Sequence, residues 1–124
     1  MEIEIYKIAN IYNALSGFAS VKMPVKVAWD IYKMSSELED KMKFISNEEK
    51  KLIDTYKGTI NDDGSIKFTT EEDTKKFADE ANKLHMTKIK CDFDKLKLTF
   101  DELENCKIEP KIISALSEVI EFVG

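Results

Sequence analysis

The stretch TINDDGSIKFTT, residues 59–70, has the residue order of a calcium loop. With Gly64 at the sixth loop position, Asn61 and Asp63 fall at the third and fifth, Ser65 at the seventh and Ile66 at the eighth. Such a loop also needs strong oxygen ligands at its first and twelfth positions, the twelfth a bidentate carboxylate. Those positions hold Thr59 and Thr70, both neutral. Glu71 arrives one residue late, which on a helix turns its side chain by about 100°. The same residues spell a β-hairpin: Ile60 and the alternating Ile66 and Phe68 flank Asp-Asp-Gly, with Gly64 supplying the positive φ of the turn. The hairpin explains Thr59 and Thr70 as well, so it is the reading adopted.

Other chemistry has little to work with. His85 is the single histidine, and a general base, a nucleophilic triad or a typical zinc site would have to use it. It closes a helical segment, where an imidazole commonly meets the last carbonyls. Cys91 and Cys106 lack the close spacing of structural zinc pairs, and two thiols in such a chain are expected to stay reduced. Asp92, Asp94, Asp101, Glu102 and Glu104 would do acid–base or metal work only if they converged. Lysines 88, 90, 95 and 97 interleave with them, as on a solvated edge. The four glycines lie far apart and form no phosphate loop. The expectation is therefore no catalytic residue, no cofactor and no metal.

The chain has 124 residues, enough for one domain with its own core. Hydrophobic residues make up 43% and charged residues 35%, a globular balance. No apolar run approaches the roughly 18 residues of a membrane span, and the acidic, alternating start is unlike a signal peptide. A cytoplasmic protein is expected. All 19 basic residues are lysine and the net charge is −5. Lysine lacks the planar fork that grips phosphate bidentately, so direct duplex DNA binding is not expected. Residues 1–62 carry 10 acids and 9 lysines, whereas residues 63–124 carry 14 acids and 10 lysines. This imbalance fits a solvated surface or an acidic face that meets a basic partner.

The elements follow from periodicity. Residues 2–7 alternate, with Ile3 and Ile5 on one face of a strand. Ile8, Ile11, Tyr12, Leu15 and Phe18 then follow a helical period, predicting a helix over about 9–19 with Asn10 as its cap. Pro24 opens the next helix and Gly58 stops it. Between them Ile31, Met34, Leu38, Met42, Ile45, Leu52 and Tyr56 recur at three and four, interrupted by Glu49. That is one helix of roughly 33 residues, about 50 Å long, in a domain only about 35 Å across. It must project, bend or pack against a second copy; Ser46 and Glu49, at capping-box spacing, mark a place where it could break. Core packing is the default for Trp29 and Tyr32, and a partner-facing aromatic anchor is the alternative. Thr69 or Thr70 caps a helix over about 71–85 that buries Phe77, Ala78, Ala81 and Leu84. Ile89, Cys91 and Phe93 point inward from a strand at 88–93, which Leu96 and Leu98 extend past a kink. TFDELEN reads as a short capped turn of helix. Pro110 starts a last helix carrying Ile113, Leu116, Val119, Ile120 and Val123 to the end. The fold class is α+β: a helix-dominated single domain with one long central helix and a small antiparallel sheet or hairpin.

The segments IYKIANIYNALSGF, MPVKVAWDIYKMSSELEDKMKFISNEEKKLIDTY, DDGSIKF and FADEANKLHMTKIKCDFDKLKLTFDELENCKIEPKIISAL span nearly the whole chain. Together they resemble a family of small proteins of uncharacterised function in phages and prophages of low-GC Gram-positive bacteria. The resemblance rests on IYNAL, the Pro-Val-Lys-Val-Ala helix start, the Asp-Gly turn and LTFDELEN, none of which is catalytic. It implies a phage accessory protein and transfers no site residue. The function expected is a non-enzymatic protein that binds and blocks a host macromolecule, with a host-defence (CRISPR-type) nuclease complex as one such target. The alternative is an assembly or virion adaptor or chaperone that acts through self-association. Exposed apolar surface costs roughly 25 cal/mol per Å², so the stripe Leu38, Met42, Ile45, Leu52 and Tyr56 is the expected interface of a homodimer.

Overall fold

The computed structural model describes residues 1–18, 22–99 and 108–124. Strand β1 (Glu2–Glu4) leads directly into α1 (Ile5–Phe18), and α2 (Val25–Thr55) follows. Then come the hairpin β2 (Thr59–Ile60) and β3 (Ile66–Lys67), α3 (Glu71–Met86), β4 (Lys88–Lys90), β5 (Leu96–Thr99), α4 (Pro110–Leu116) and β6 (Ile120–Val123). The fold is helix-dominated α+β around one long central helix.

α1 begins four residues before the sequence predicts, and Asn10 lies inside it rather than capping it. Ile5 serves both periods: it continues the alternation of Ile3 and also stands three residues before Ile8. Its amide still donates to the Thr87 carbonyl at 2.9 Å, so strand-like pairing hands over to helix at that residue. β1 pairs antiparallel with β4, Ile3 opposite Ile89. Ile8, Ile11 and Leu15 of α1 and Leu38 of α2 share one buried core with Leu98, Leu116, Val119 and Ile120.

α2 runs unbroken through Ser46. Its apolar stripe does not face solvent, because α1 and α3 both pack on it. Leu38 is fully buried, Ile45 is 8% exposed, and Met42 packs against the core. Leu52 and Tyr56 are half-buried. The chain folds back as α3 and the hairpin, which supplies the cover that a helix of this length needs.

α2 ends in a Schellman motif. The Gly58 amide donates to the Ile53 carbonyl at 2.8 Å and the Lys57 amide to the Asp54 carbonyl at 3.1 Å. The left-handed residue is Lys57, at φ 54°, not the glycine. Gly58 is needed for space: a Cβ there would lie 2.6 Å from the Phe68 ring. Phe68 in turn packs on Phe77 of α3, ring centroids 4.8 Å apart. α3 starts as expected, with the Asp73 amide donating to Thr70 Oγ1 at 3.1 Å. Its inner face is thinner than expected, because Phe77, Ala81 and Leu84 are half-buried and Ala78 is exposed.

The C-terminal half departs most from expectation. The strand at 88–93 stops at Lys90, and Leu96 and Leu98 belong to a separate strand. The last helix ends at Leu116, and Ile120–Val123 forms β6, parallel to β5 with Leu98 opposite Phe122. Parallel neighbours need a crossover of a dozen residues or more, and the segment holding α4 provides it. The helical turn predicted for TFDELEN lies, apart from Thr99, outside the described residues.

Candidate interaction surfaces

The calcium-like loop is the tip of a hairpin. The Asn61 amide donates to the Ser65 carbonyl (2.8 Å), and the Gly64 amide donates to the Asn61 carbonyl (3.0 Å). Gly64 takes φ 86°, the positive angle that the turn requires. Asp63 Oδ1 accepts the Ser65 hydroxyl at 2.6 Å and the Ser65 amide at 3.0 Å. These two bonds, the hydroxyl first, hold the Asp63 carboxyl below its ordinary value. Thr70, the twelfth loop position, spends its hydroxyl on the α3 cap.

What the tip concentrates is charge. Residues 59–73 contain five acids (Asp62, Asp63, Glu71, Glu72 and Asp73) and one lysine, Lys67. Five minus one leaves −4 of the chain's −5 on fifteen residues. The first four of these acids are exposed and Asp73 is half-buried. The three on α3 occupy its first turn, where the helix dipole favours anions. Lys76 partly offsets Glu72 at 3.0 Å. Ile60, 58% exposed, stands among these acids as an apolar contact point.

The second surface is the seam between α1 and α2. α1 carries a single charge, Lys7, in fourteen residues. Its exposed positions are Tyr6, Ala9, Asn10, Asn13, Ser16 and Gly17, all uncharged. Across the seam, Val25, Trp29 and Tyr32 are 86%, 56% and 61% exposed. The Trp29 and Tyr32 rings stack with centroids 5.6 Å apart and planes 24° from parallel. The core packing expected of these two aromatics is therefore not found. Lys33 lies 5.9 Å from the Trp29 ring centroid and 3.6 Å from Asp30, a neutralised pair at the rim. A cleft of about 300 Å³ opens beside the stack, lined by Tyr12, Leu15, Phe18, Met23, Ala28 and Ile31 among others, none of them charged.

The residues weighed for chemistry lie elsewhere. His85 Nε2 meets Glu49 Oε1 at 3.0 Å, both side chains well exposed, so its partner is a carboxylate rather than the helix-end carbonyls. This pairing explains why Glu49 interrupts the stripe of α2: it is where α3 lays its last turn across. Asp92 and Asp94 are exposed and line a cleft of about 450 Å³ with Asp30, Glu37 and Lys33, Lys95 and Lys97. Glu37 is bound to Lys41 at 3.5 Å and accepts the Asp92 amide at 3.2 Å. Asp101, Glu102, Glu104 and Cys106 lie outside the described residues. Cys91 is buried, and desolvation, with Glu37 nearby, pushes its thiol up. Among the described residues no group of His, Cys, Asp or Glu is arranged to hold a metal, and no helix is long and apolar enough to cross a membrane.

Sequence reasoning missed the seam, although its signal was present: one charge in fourteen residues of a chain that is 35% charged. Compared with family models, curated proteins and solved structures, the chain matches none.

Proposed function

We propose that this is a non-enzymatic phage accessory protein that binds and blocks a host macromolecule, using the acidic hairpin–α3 tip to meet a basic surface. The observation that carries this reading is the acidic run of residues 59–73, five acids to one lysine, bordered by Lys57, Lys75 and Lys76. Charge focused in this way steers encounter with an oppositely charged partner and suppresses wrong ones. A basic channel that holds nucleic acid is the surface such a tip fits best, as in a host-defence (CRISPR-type) nuclease complex. The phage context comes from the family resemblance of the sequence. Fixed carboxylates on a capped helix and a bonded turn reach such a channel already ordered, which limits the entropy lost on binding.

Affinity capture from host lysate tests the reading, comparing the native chain with Asp62→Asn/Glu71→Gln/Glu72→Gln. The triple variant leaves the Asp63–Ser65 and Thr70–Asp73 bonds in place, and circular dichroism checks the fold. The expected result is a captured nucleic-acid-binding complex, released by rising salt and captured at least tenfold more slowly by the variant. Capture with the same rate and salt dependence by both chains would refute it. The adaptor reading, which acts through self-association, is favoured by a different surface, the exposed Trp29–Tyr32 stack.

A further inference from the structure

We propose that the α1–α2 seam is a two-fold homodimer interface, in which the Val25–Trp29–Tyr32 knob of each copy seats in the cleft of the other. The knob is formed in advance. Trp29 and Tyr32 already stack on each other, so little side-chain freedom remains to be lost on contact. The cleft of about 300 Å³ beside it is lined without charge and lies at the lower end of ligand-pocket volumes, room for the one aromatic side chain, Trp29, that tips the knob. Tyr32 belongs to both the stack and the cleft wall, so knob and hole are adjacent on one face. Adjacency is what an isologous pair requires: about one two-fold axis, the knob of the first copy meets the hole of the second and the reverse holds at once.

Charge permits a second copy at this face, and the adjacency of knob and hole favours it. Each chain carries −5, so two copies repel over most of their surface. Along the seam the exposed positions Ala9, Asn13 and Ser16 of α1, and Val25, Ala28 and Ser36 of α2, are uncharged, and Glu39 and Lys43, of opposite sign, continue the α2 row beyond them. A basic partner is drawn instead to the acidic tip, at the far end of α2. From Trp29 to Tyr56 is 27 residues, about 40 Å of helix. The small residues Ser16, Ala28 and Ser35 of the cleft wall let a second backbone come close. The uncovered parts of Val25, Trp29 and Tyr32 amount to roughly 400 Å² per copy, about half of what each side of a standard interface buries. The cleft rim and its small residues supply area for the remainder. This is a different face from the Leu38–Tyr56 stripe that the sequence suggested, which the chain covers with its own α1 and α3.

Sedimentation and light scattering between about 1 and 200 µM provide the test, with Trp29, the single tryptophan, as an internal probe. The expected mass rises from 14.3 kDa to twice that value, and Trp29 emission shifts to the blue over the same concentrations. Trp29→Ala removes the knob and Ala28→Glu charges the cleft; both positions are exposed. Each should weaken dimerisation at least thirtyfold with unchanged circular dichroism. Glu71→Gln/Glu72→Gln should leave the dimer intact, which separates this proposal from the one about the acidic tip. A monomer at 200 µM, or a dimer indifferent to both seam variants, overturns it.

Discussion

Lys57→Gly should stabilise the protein and Gly58→Ala should destabilise it, although a rule that glycine ends helices predicts the reverse order of importance. At Lys57 the backbone is left-handed, at φ 54°. That conformation costs a residue with a Cβ roughly 1–2 kcal/mol. Glycine relieves this cost and loses roughly 0.5–1 kcal/mol through its freer unfolded state. The net gain for Lys57→Gly is about 0.5–1 kcal/mol, or about 2–4 °C in Tm for a chain of this size. At Gly58 the φ is not the constraint. A Cβ there would stand 2.6 Å from Phe68 Cε1, 3.1 Å from Ile53 Cγ2 and 3.1 Å from Ile66 Cγ2. The Phe68 ring cannot swing aside cheaply, because it packs on Phe77. Overpacking of this kind costs about 1–3 kcal/mol, from which about 0.4–1 kcal/mol is recovered through the stiffer unfolded chain. A net loss of about 1–2 kcal/mol lowers Tm by about 4–8 °C.

Thermal and urea unfolding of both single variants measure these signs. A double-mutant cycle identifies the cause: if Phe68 is the main obstacle, Gly58→Ala should cost clearly less in a Phe68→Ala background, where only the 3.1 Å approaches to Ile53 and Ile66 remain, a non-additive result. A Lys57→Gly variant with lowered Tm, or a Gly58→Ala cost that persists undiminished without the Phe68 ring, would refute the assignment. The functional stake is orientation. Phe68 locks the hairpin against the end of α2, and the hairpin carries Asp62 and Asp63, so a Gly58→Ala protein that still folds should also present the acidic tip less rigidly.

Two further outcomes follow from the titrating groups. The Asp63 carboxyl is held below its ordinary value by the Ser65 hydroxyl and amide, so the support it gives the turn is present above the unfolded carboxyl range and is lost as pH falls through the folded value; NMR titration of the Asp63 carboxyl should show the depression, and Ser65→Ala should remove most of it. Burial pushes the Cys91 thiol up, so in a Cys106→Ser background a thiol reagent at pH 8 should react slowly with the folded chain and rapidly in denaturant, and equal rates would show that Cys91 is not enclosed.

The parts of the fold that were legible in the sequence are those settled within a few residues. Thr70 caps α3 because its hydroxyl reaches an amide three residues on, and the Asp-Asp-Gly turn forms because Gly64 alone can take its φ without strain. The period of α2 favoured one helix, while the capping-box spacing of Ser46 and Glu49 left its continuity open, and the helix runs through. The end of the chain was not. Ile113, Leu116, Val119, Ile120 and Val123 keep a helical spacing, yet Ile113 is 39% exposed and residues 120–123 are a strand. What decides is pairing with β5 some twenty residues earlier in the chain, and tertiary pairing of this kind overrides local period in a short β-branched segment. Ile5 failed for a related reason, since one side chain satisfied two periods and only the Thr87 carbonyl shows where the strand yields. For the surfaces, reading residue by residue looked for ligands and nucleophiles and so passed over a region defined by the lack of charge.

The length of α2 connects the two proposed surfaces. A break at Ser46 would have let the helix double back on itself and brought the acidic tip alongside Trp29. The continuous helix instead separates them by about 40 Å, several Debye lengths at physiological salt. That separation matters for an acidic chain that is also to pair with itself. Two tips of −4 each would oppose dimerisation if they lay beside the seam. Carried to the far end of α2, each tip lies several Debye lengths from its own seam, whose cleft lining is uncharged and is left to govern association. α3 completes the arrangement: it runs back from the tip along α2 and is pinned where His85 meets Glu49. The apolar stripe that a lone 31-residue helix would expose is thereby covered by the same element that displays Glu71 and Glu72.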